Sequence, residues 1–113
     1  MIEHYSFGKI IVNGKKYTRD LIIFPDRIKE NWWRKEGHYL YMEDLEEVLE
    51  YKPEILIIGT GALGVMKVPK DLIEQLEKMG IKVIVKKTKE ACEEFNKLLN
   101  EGKKVVAALH LTC

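Results

Sequence analysis

The residues best placed for chemistry are Gly59, Thr60, Gly61 and Gly64, which close the short apolar run Ile55-Leu56-Ile57-Ile58. Glycines in that position free the backbone and let successive amides turn toward an anion. Formally, Gly59-Thr60-Gly61-Ala62-Leu63-Gly64 matches G-x-G-x-x-G behind a strand, the pattern of a dinucleotide site. The surroundings argue against it. That pattern opens a helix directly, whereas Val65 to Val68 intervene here before Pro69 marks a helix start. The next strand ends in Lys86 and Lys87 rather than in the acid that would hold a ribose. No cofactor is therefore expected.

Other reactive residue types are sparse. Cys92 and Cys113 lack metal-type spacing and His4, His38 and His110 are scattered, so no metal site is expected. Cys92 falls on the apolar stripe of a helix and reads as a small core residue. Cys113 stands three residues from His110, and a nucleophilic role would need that base and a third orienting group. A carboxylate at the chain end would raise its thiol pKa and fraying would blur its geometry, so a structural tail is expected instead. The acids Glu43, Asp44, Glu46, Glu47 and Glu50 read as the solvated face of a helix, with no apolar burial to split their pKa values.

Trp32-Trp33-Arg34, with His38 after it, is the most distinctive part of the unpatterned segment 26–41. Adjacent side chains on extended backbone face opposite ways, so one indole is free to pack inward while the other stays near the surface. The plainer reading is a pair that pins a long loop to the core. The sharper one is an anchor for a partner, since Trp and Arg dominate interface hot spots.

Positioning these residues falls to a short set of elements. Ser6 to Val12 and a return strand from Lys15 through Tyr17 to Phe24 flank Asn13-Gly14, the dipeptide of a tight type I′ hairpin, and Pro25 ends the return strand. Met42, Leu45, Val48 and Leu49 space an amphipathic helix that Pro53 stops. From Ile55 the order is strand, helix, strand, helix, strand. Leu72, Ile73, Leu76 and Met79 face one helix before Gly80; Ile81 to Val85 is the second strand. Thr88 is the expected N-cap of the last helix, with Ala91, Cys92, Phe95, Leu98 and Leu99 on its apolar face, and Val105 to Leu109 is the final strand.

Three apolar strands that do not alternate, joined by helices, indicate parallel strands buried on both faces. The expected architecture is a single α/β domain over residues 1–113, with three layers, a mixed, largely parallel sheet and an N-terminal β-hairpin at one side. Parallel strands send their carboxyl ends to one edge, where ligands of open α/β sheets bind. Gly59, Thr60, Gly61 and Gly64, the Lys86-Lys87-Thr88 stretch, and His110 with Thr112 should then meet at one rim able to hold a small anion.

Composition narrows the partners. With 33% charged residues and a net charge of +1, the chain has no basic excess to favour nucleic acid or an anionic membrane. No run is long enough to span a bilayer, the first residues lack the regions of a signal peptide, and the cysteines suit a reducing compartment, so a cytoplasmic location is expected.

The chain resembles the adipogenesis-associated domain family, a group of small proteins of unknown function. The matching pieces are Ser6-Phe7-Gly8, Tyr17 to Ile23 with Asp20, Trp33-Arg34 with His38, Pro53-Glu54 before Ile58-Gly59-Thr60-Gly61, the helix from Thr88 to Asn96, and Ala107 to Cys113. Lys87 departs from the family, in which many members have Pro. The resemblance implies a three-layer α/β domain with a mixed sheet and, through relatives of a mitochondrial complex I assembly factor, scaffolding rather than turnover. It brings no catalytic residue. The expected function is a non-enzymatic protein-interaction or assembly module, with a homo-oligomer also open, and small-anion or nucleotide-like binding at the rim is the alternative.

Overall fold

A computed structural model describes residues 1–113. The last three strands match their apolar runs: β6 (Ile55–Gly59), β7 (Lys82–Lys86) and β8 (Val105–Leu109), preceded by β4 (Leu21–Ile23) and β5 (Ile28–Lys29). These five form one mixed sheet in the order β5-β4-β8-β6-β7, with β6 parallel to both β7 and β8, and β4 antiparallel to β8 and β5.

Successive residues of its central strands feed two different cores. Ile55, Ile57, Val105, Ala107, Leu21 and Ile23 face α3 (Thr88–Asn100) and the N-terminal strands, while Leu56, Ile58, Val106, Ala108 and Ile22 face α1 (Glu46–Tyr51) and α2 (Lys70–Lys78). This alternation explains the unbroken apolar runs, because a strand with a core on each side has no solvent face to mark. Each fully buried Ile or Leu contributes about 1.5–3 kcal/mol.

The N-terminal strands depart from expectation. Asn13 and Gly14 have φ of 51° and 80° and join β2 (Lys9–Val12) to β3 (Lys15–Tyr17), as a type I′ turn requires. The return strand, however, does not run on to Phe24. It breaks after Tyr17, and β4 crosses to the other sheet, leaving β1 (Ile2–Ser6), β2 and β3 as a separate antiparallel sheet. Asp20 is the physical reason: its carbonyl accepts the Trp32 N–H and its carboxylate the Leu111 N–H, so this residue is turned out of the hairpin ladder.

Four smaller expectations also change. β7 is not buried on both faces but lies at the sheet edge, with Lys82, Val85 and Lys86 exposed; lysines on such an edge discourage pairing with another chain. Met79 follows the last turn of α2 and is exposed rather than on its apolar face. Lys87, not Thr88, is the N-cap of α3. The expected helix from Met42 is a 3-10 turn (Met42–Leu45) running into α1, which ends at Lys52 in a left-handed conformation before Pro53.

Candidate functional site

The carboxyl ends of β6, β7 and β8 lie side by side, with Gly59 in register with both Lys86 and Leu109. Thr88 joins them. Its buried hydroxyl accepts the Gly61 N–H at 2.8 Å and donates to the His110 carbonyl at 2.6 Å, while its own N–H reaches the Gly61 carbonyl. Serving both neighbours from inside the first helical turn is what keeps Thr88 from capping α3.

The loop amides that an anion at the rim would need are taken up within the chain. Ala62 N–H donates to the Thr112 carbonyl at 2.6 Å, Leu63 and Val65 N–H to that of Cys113, and Gly64 N–H to that of Gly61. Thr60 donates through its N–H and its hydroxyl to the Lys86 carbonyl. Gly61, at φ of 107°, has no alternative, since a Cβ there would lie 2.2 Å from the Cys113 carbonyl carbon. A Cβ on Gly59 would meet Leu109 and Thr88 within 3 Å. The glycines thus permit the segment 110–113 to be laid against the loop.

Residues 110–113 are held equally firmly from the other side. Leu111 offers its N–H to Asp20 Oδ1 at 2.7 Å, and its carbonyl accepts the Gly8 N–H and the Tyr5 hydroxyl. Burial raises the Tyr5 pKa to about 12, with Cys92 and Asp20 adding to it. Asp20 Oδ2 takes His110 Nδ1 at 2.7 Å and Arg34 Nη1 at 2.9 Å. Burial on its own would raise the Asp20 carboxyl, but the His110 hydrogen bond, the Leu111 amide and the charges of His110 and Arg34 prevail and hold it below its ordinary value.

Arg34 makes this cluster costly to disturb. Its side chain is buried, and Nη2 donates to the Gly37 carbonyl at 2.8 Å and lies 3.1 Å from His110 Nδ1. The Nη1 contact with Asp20 is an ion pair whose N–H points off the oxygen, and Nε has no acceptor. The guanidinium is 4.7 Å from the Trp32 ring, which supplies a cation–π contact in their place. His38 is exposed and sets its ring edge against His110 at 5.6 Å. Thr112 Oγ1 is 3.5 Å from His110 Nε2, too far for a strong hydrogen bond. The rim and the tryptophan loop, separate on sequence grounds, therefore meet at Asp20, a residue that spacing alone did not single out. A lone acid just before Leu21-Ile22-Ile23-Phe24 was the available signal.

Trp32 and Trp33 do divide as adjacent residues should. Trp32 is buried and donates Nε1–H to the Asp44 carbonyl at 2.8 Å, while Trp33 is 81% exposed. The exposed indole borders two hollows. One, of about 420 Å³, is lined by Thr18, Arg19, Asp20, Asn31, Trp32 and Thr112. The other, of about 570 Å³, has an acidic wall from the 3-10 turn and α1. The two thiols are elsewhere: Cys92 is buried, with burial foremost pushing its pKa up to about 12, and Cys113 is half-buried beside Gly61. No three His, Cys, Asp or Glu side chains come together in a metal-binding arrangement, and no helix is long and apolar enough to cross a membrane.

Residues 2–110 match a family described as "Protein of unknown function (DUF498/DUF598)". The chain is 30% identical to the "13 kDa major membrane protein" of Francisella tularensis over 91% of its length and 84% of that protein's. It is 32% identical to the "NADH dehydrogenase [ubiquinone] 1 alpha subcomplex assembly factor 3" of Xenopus tropicalis, covering 96% of this chain. It spans only 59% of that factor, and likewise 59% of the human one. Among solved structures, a conserved hypothetical protein of Pyrococcus horikoshii superposes with a TM-score of 0.83 at 30% identity over 100% of this chain and 99% of that one. An outer membrane protein of Bartonella henselae does so with a TM-score of 0.84 at 28% identity over 99% and 94%.

Proposed function

The chain belongs to the DUF498/DUF598 family of proteins of unknown function, and from that premise we propose that it is a protein-contact module of the kind an assembly factor needs, with Trp33 as its anchor. One observation carries this reading: Trp33 is 81% exposed although both its neighbours are buried. Trp32 and Arg34 are hydrogen-bonded to Asp44 and Gly37, so the backbone between them is fixed and the indole is presented with little ordering left to lose on binding. Exposed aromatic surface on a rigid loop is the usual form of an interface hot spot. The assembly-factor relatives support the same reading.

A photo-crosslinking residue in place of Trp33 tests it in cells of the source organism, with the same residue at the exposed Lys97 on α3 as control. Adducts specific to position 33 are expected. Equal labelling at both positions, or none at 33, would end the proposal. The location proposed for the contact is the cytoplasm, and recovery in the pellet after high-speed centrifugation would overturn it.

A small anion at the rim is the second reading, favoured by the meeting of Gly59, Thr60, Gly61, Gly64, Thr88 and His110 around one loop. It requires the anion to displace the Thr112 and Cys113 carbonyls from the Ala62, Leu63 and Val65 amides. Inorganic phosphate and nucleotides would then raise the melting temperature with concentration. The protein-contact reading expects no such rise.

A further inference from the structure

We infer that the partner seated at Trp33 presents a basic polypeptide segment, one Lys or Arg stacking on the indole while neighbouring cations pair with Glu46 and Glu50. The inference rests on the protein-contact reading and names the chemistry of the partner. Its starting point is the asymmetry of the ground beside Trp33: the larger hollow, about 570 Å³, is walled by five acidic residues against two basic ones, Arg27 and Lys29.

The acids are not equivalent. Asp44 spends both carboxylate oxygens on the Lys35 and Tyr41 amides, and so fixes the loop that carries Trp33. Glu43 lies 3.5 Å from Lys35. Glu47 holds Lys29 at 3.3 Å and Arg27 at 3.9 Å. Glu46 and Glu50 are exposed, have no cationic partner, and stand one turn apart on the same face of α1. Two uncommitted carboxylates at helical spacing beside a fixed indole complement a chain of spaced cations. An ammonium or guanidinium is the charged group that an indole face attracts.

The same wall disfavours other occupants. A phosphate backbone, an anionic lipid surface or an acidic peptide would each set like charges against Glu43, Glu46 and Glu50. An acidic helix face standing alone would be ordinary solvation. It does not account for a tryptophan left in water at its border.

The test uses the full chain and three synthetic peptides of one length: Lys and Arg spaced by Gly and Ser, the same peptide with Gln for every cation, and the same with Glu. Calorimetric titration should show saturable binding of the basic peptide only, weakened by salt. Affinity should fall about tenfold in Trp33→Ala and in the double variant Glu46→Gln/Glu50→Gln, and stay unchanged in Glu74→Gln/Glu77→Gln on α2. Failure of the basic peptide to bind, equal binding of the Gln peptide, or indifference to the Glu46/Glu50 double variant would overturn the inference. Crosslinking at position 33 separates the two levels. An adduct that persists when Glu46 and Glu50 are changed to Lys leaves protein contact standing and removes the basic segment, whereas absence of any adduct in the unaltered chain removes both. Unfolding midpoints of the variants confirm that each is folded.

Discussion

At the glycine crossing every amide from Thr60 to Met66 donates to an acceptor within the chain, whereas at the Trp33 shelf an indole stands in water beside two carboxylates without partners. Asp20, Arg34 and Trp32 lie between the two regions and tie them together. The contrast separates two uses of unusual residues. Glycines and buried charges at the crossing allow backbone segments to approach and be satisfied, and so serve the fold. Trp33, Glu46 and Glu50 contribute little to the fold and are available to something else. Residue types that most suggest chemistry in a sequence can thus turn out to be the most fully occupied.

Changes at the crossing should cost stability, and changes at the shelf should not. The largest effect is expected from Gly61→Ala, which forces a Cβ into the Cys113 carbonyl at a φ that Ala resists. A loss on the order of 4 kcal/mol or failure to fold is expected, read by urea unfolding. Near-normal stability would show that 110–113 is not clamped there. Next is Asp20→Asn, which leaves the Arg34 charge buried without its counter-ion and should cost about 3 kcal/mol.

Asp20 also sets an acid limit. Its folded pKa lies below the ordinary 3.8, so its contribution is fully present above that value and is lost as pH falls through the lower, folded value. Asp20→Asn should flatten the stability profile below about pH 4, and an unaltered profile would assign acid unfolding to other groups. Thr88→Val keeps the shape but removes the acceptor of the Gly61 N–H and the donor to the His110 carbonyl, for about 2 kcal/mol by the same measurement. Smallest is Trp33→Ala, expected within about 0.5 kcal/mol of the parent protein. A larger loss would make Trp33 part of the fold and dissolve the contrast.

Much of this architecture could be read from spacing. Ile55 to Gly59, Val105 to Leu109, the Asn13-Gly14 turn and the apolar stripe from Ala91 to Leu98 appear where pattern placed them, because each depends on contacts a few residues long or on a period. The meeting of Gly61, Thr88 and His110 followed from topology, since parallel strands must end together. What those residues do on meeting did not follow. Asp20 was visible as an acid before an apolar strand, yet nothing local tells that it would break the hairpin to hold residues 110 and 111.

By itself, then, the sequence determined β6 and β8, α2 and α3, the Asn13-Gly14 turn, the α/β class and that one of Trp32 and Trp33 is free to turn inward, all of them consequences of local conformational preference and of which residues avoid water. Only the tertiary structure decided that β7 takes the edge, that the N-terminal strands form their own sheet, that Arg34 reaches His110 across 76 residues, and that the Thr112 and Cys113 carbonyls take the Ala62, Leu63 and Val65 amides. The physical reason is that a hydrogen bond is specified by two groups at once: a sequence shows each donor in its place but not the distant acceptor that folding brings to it.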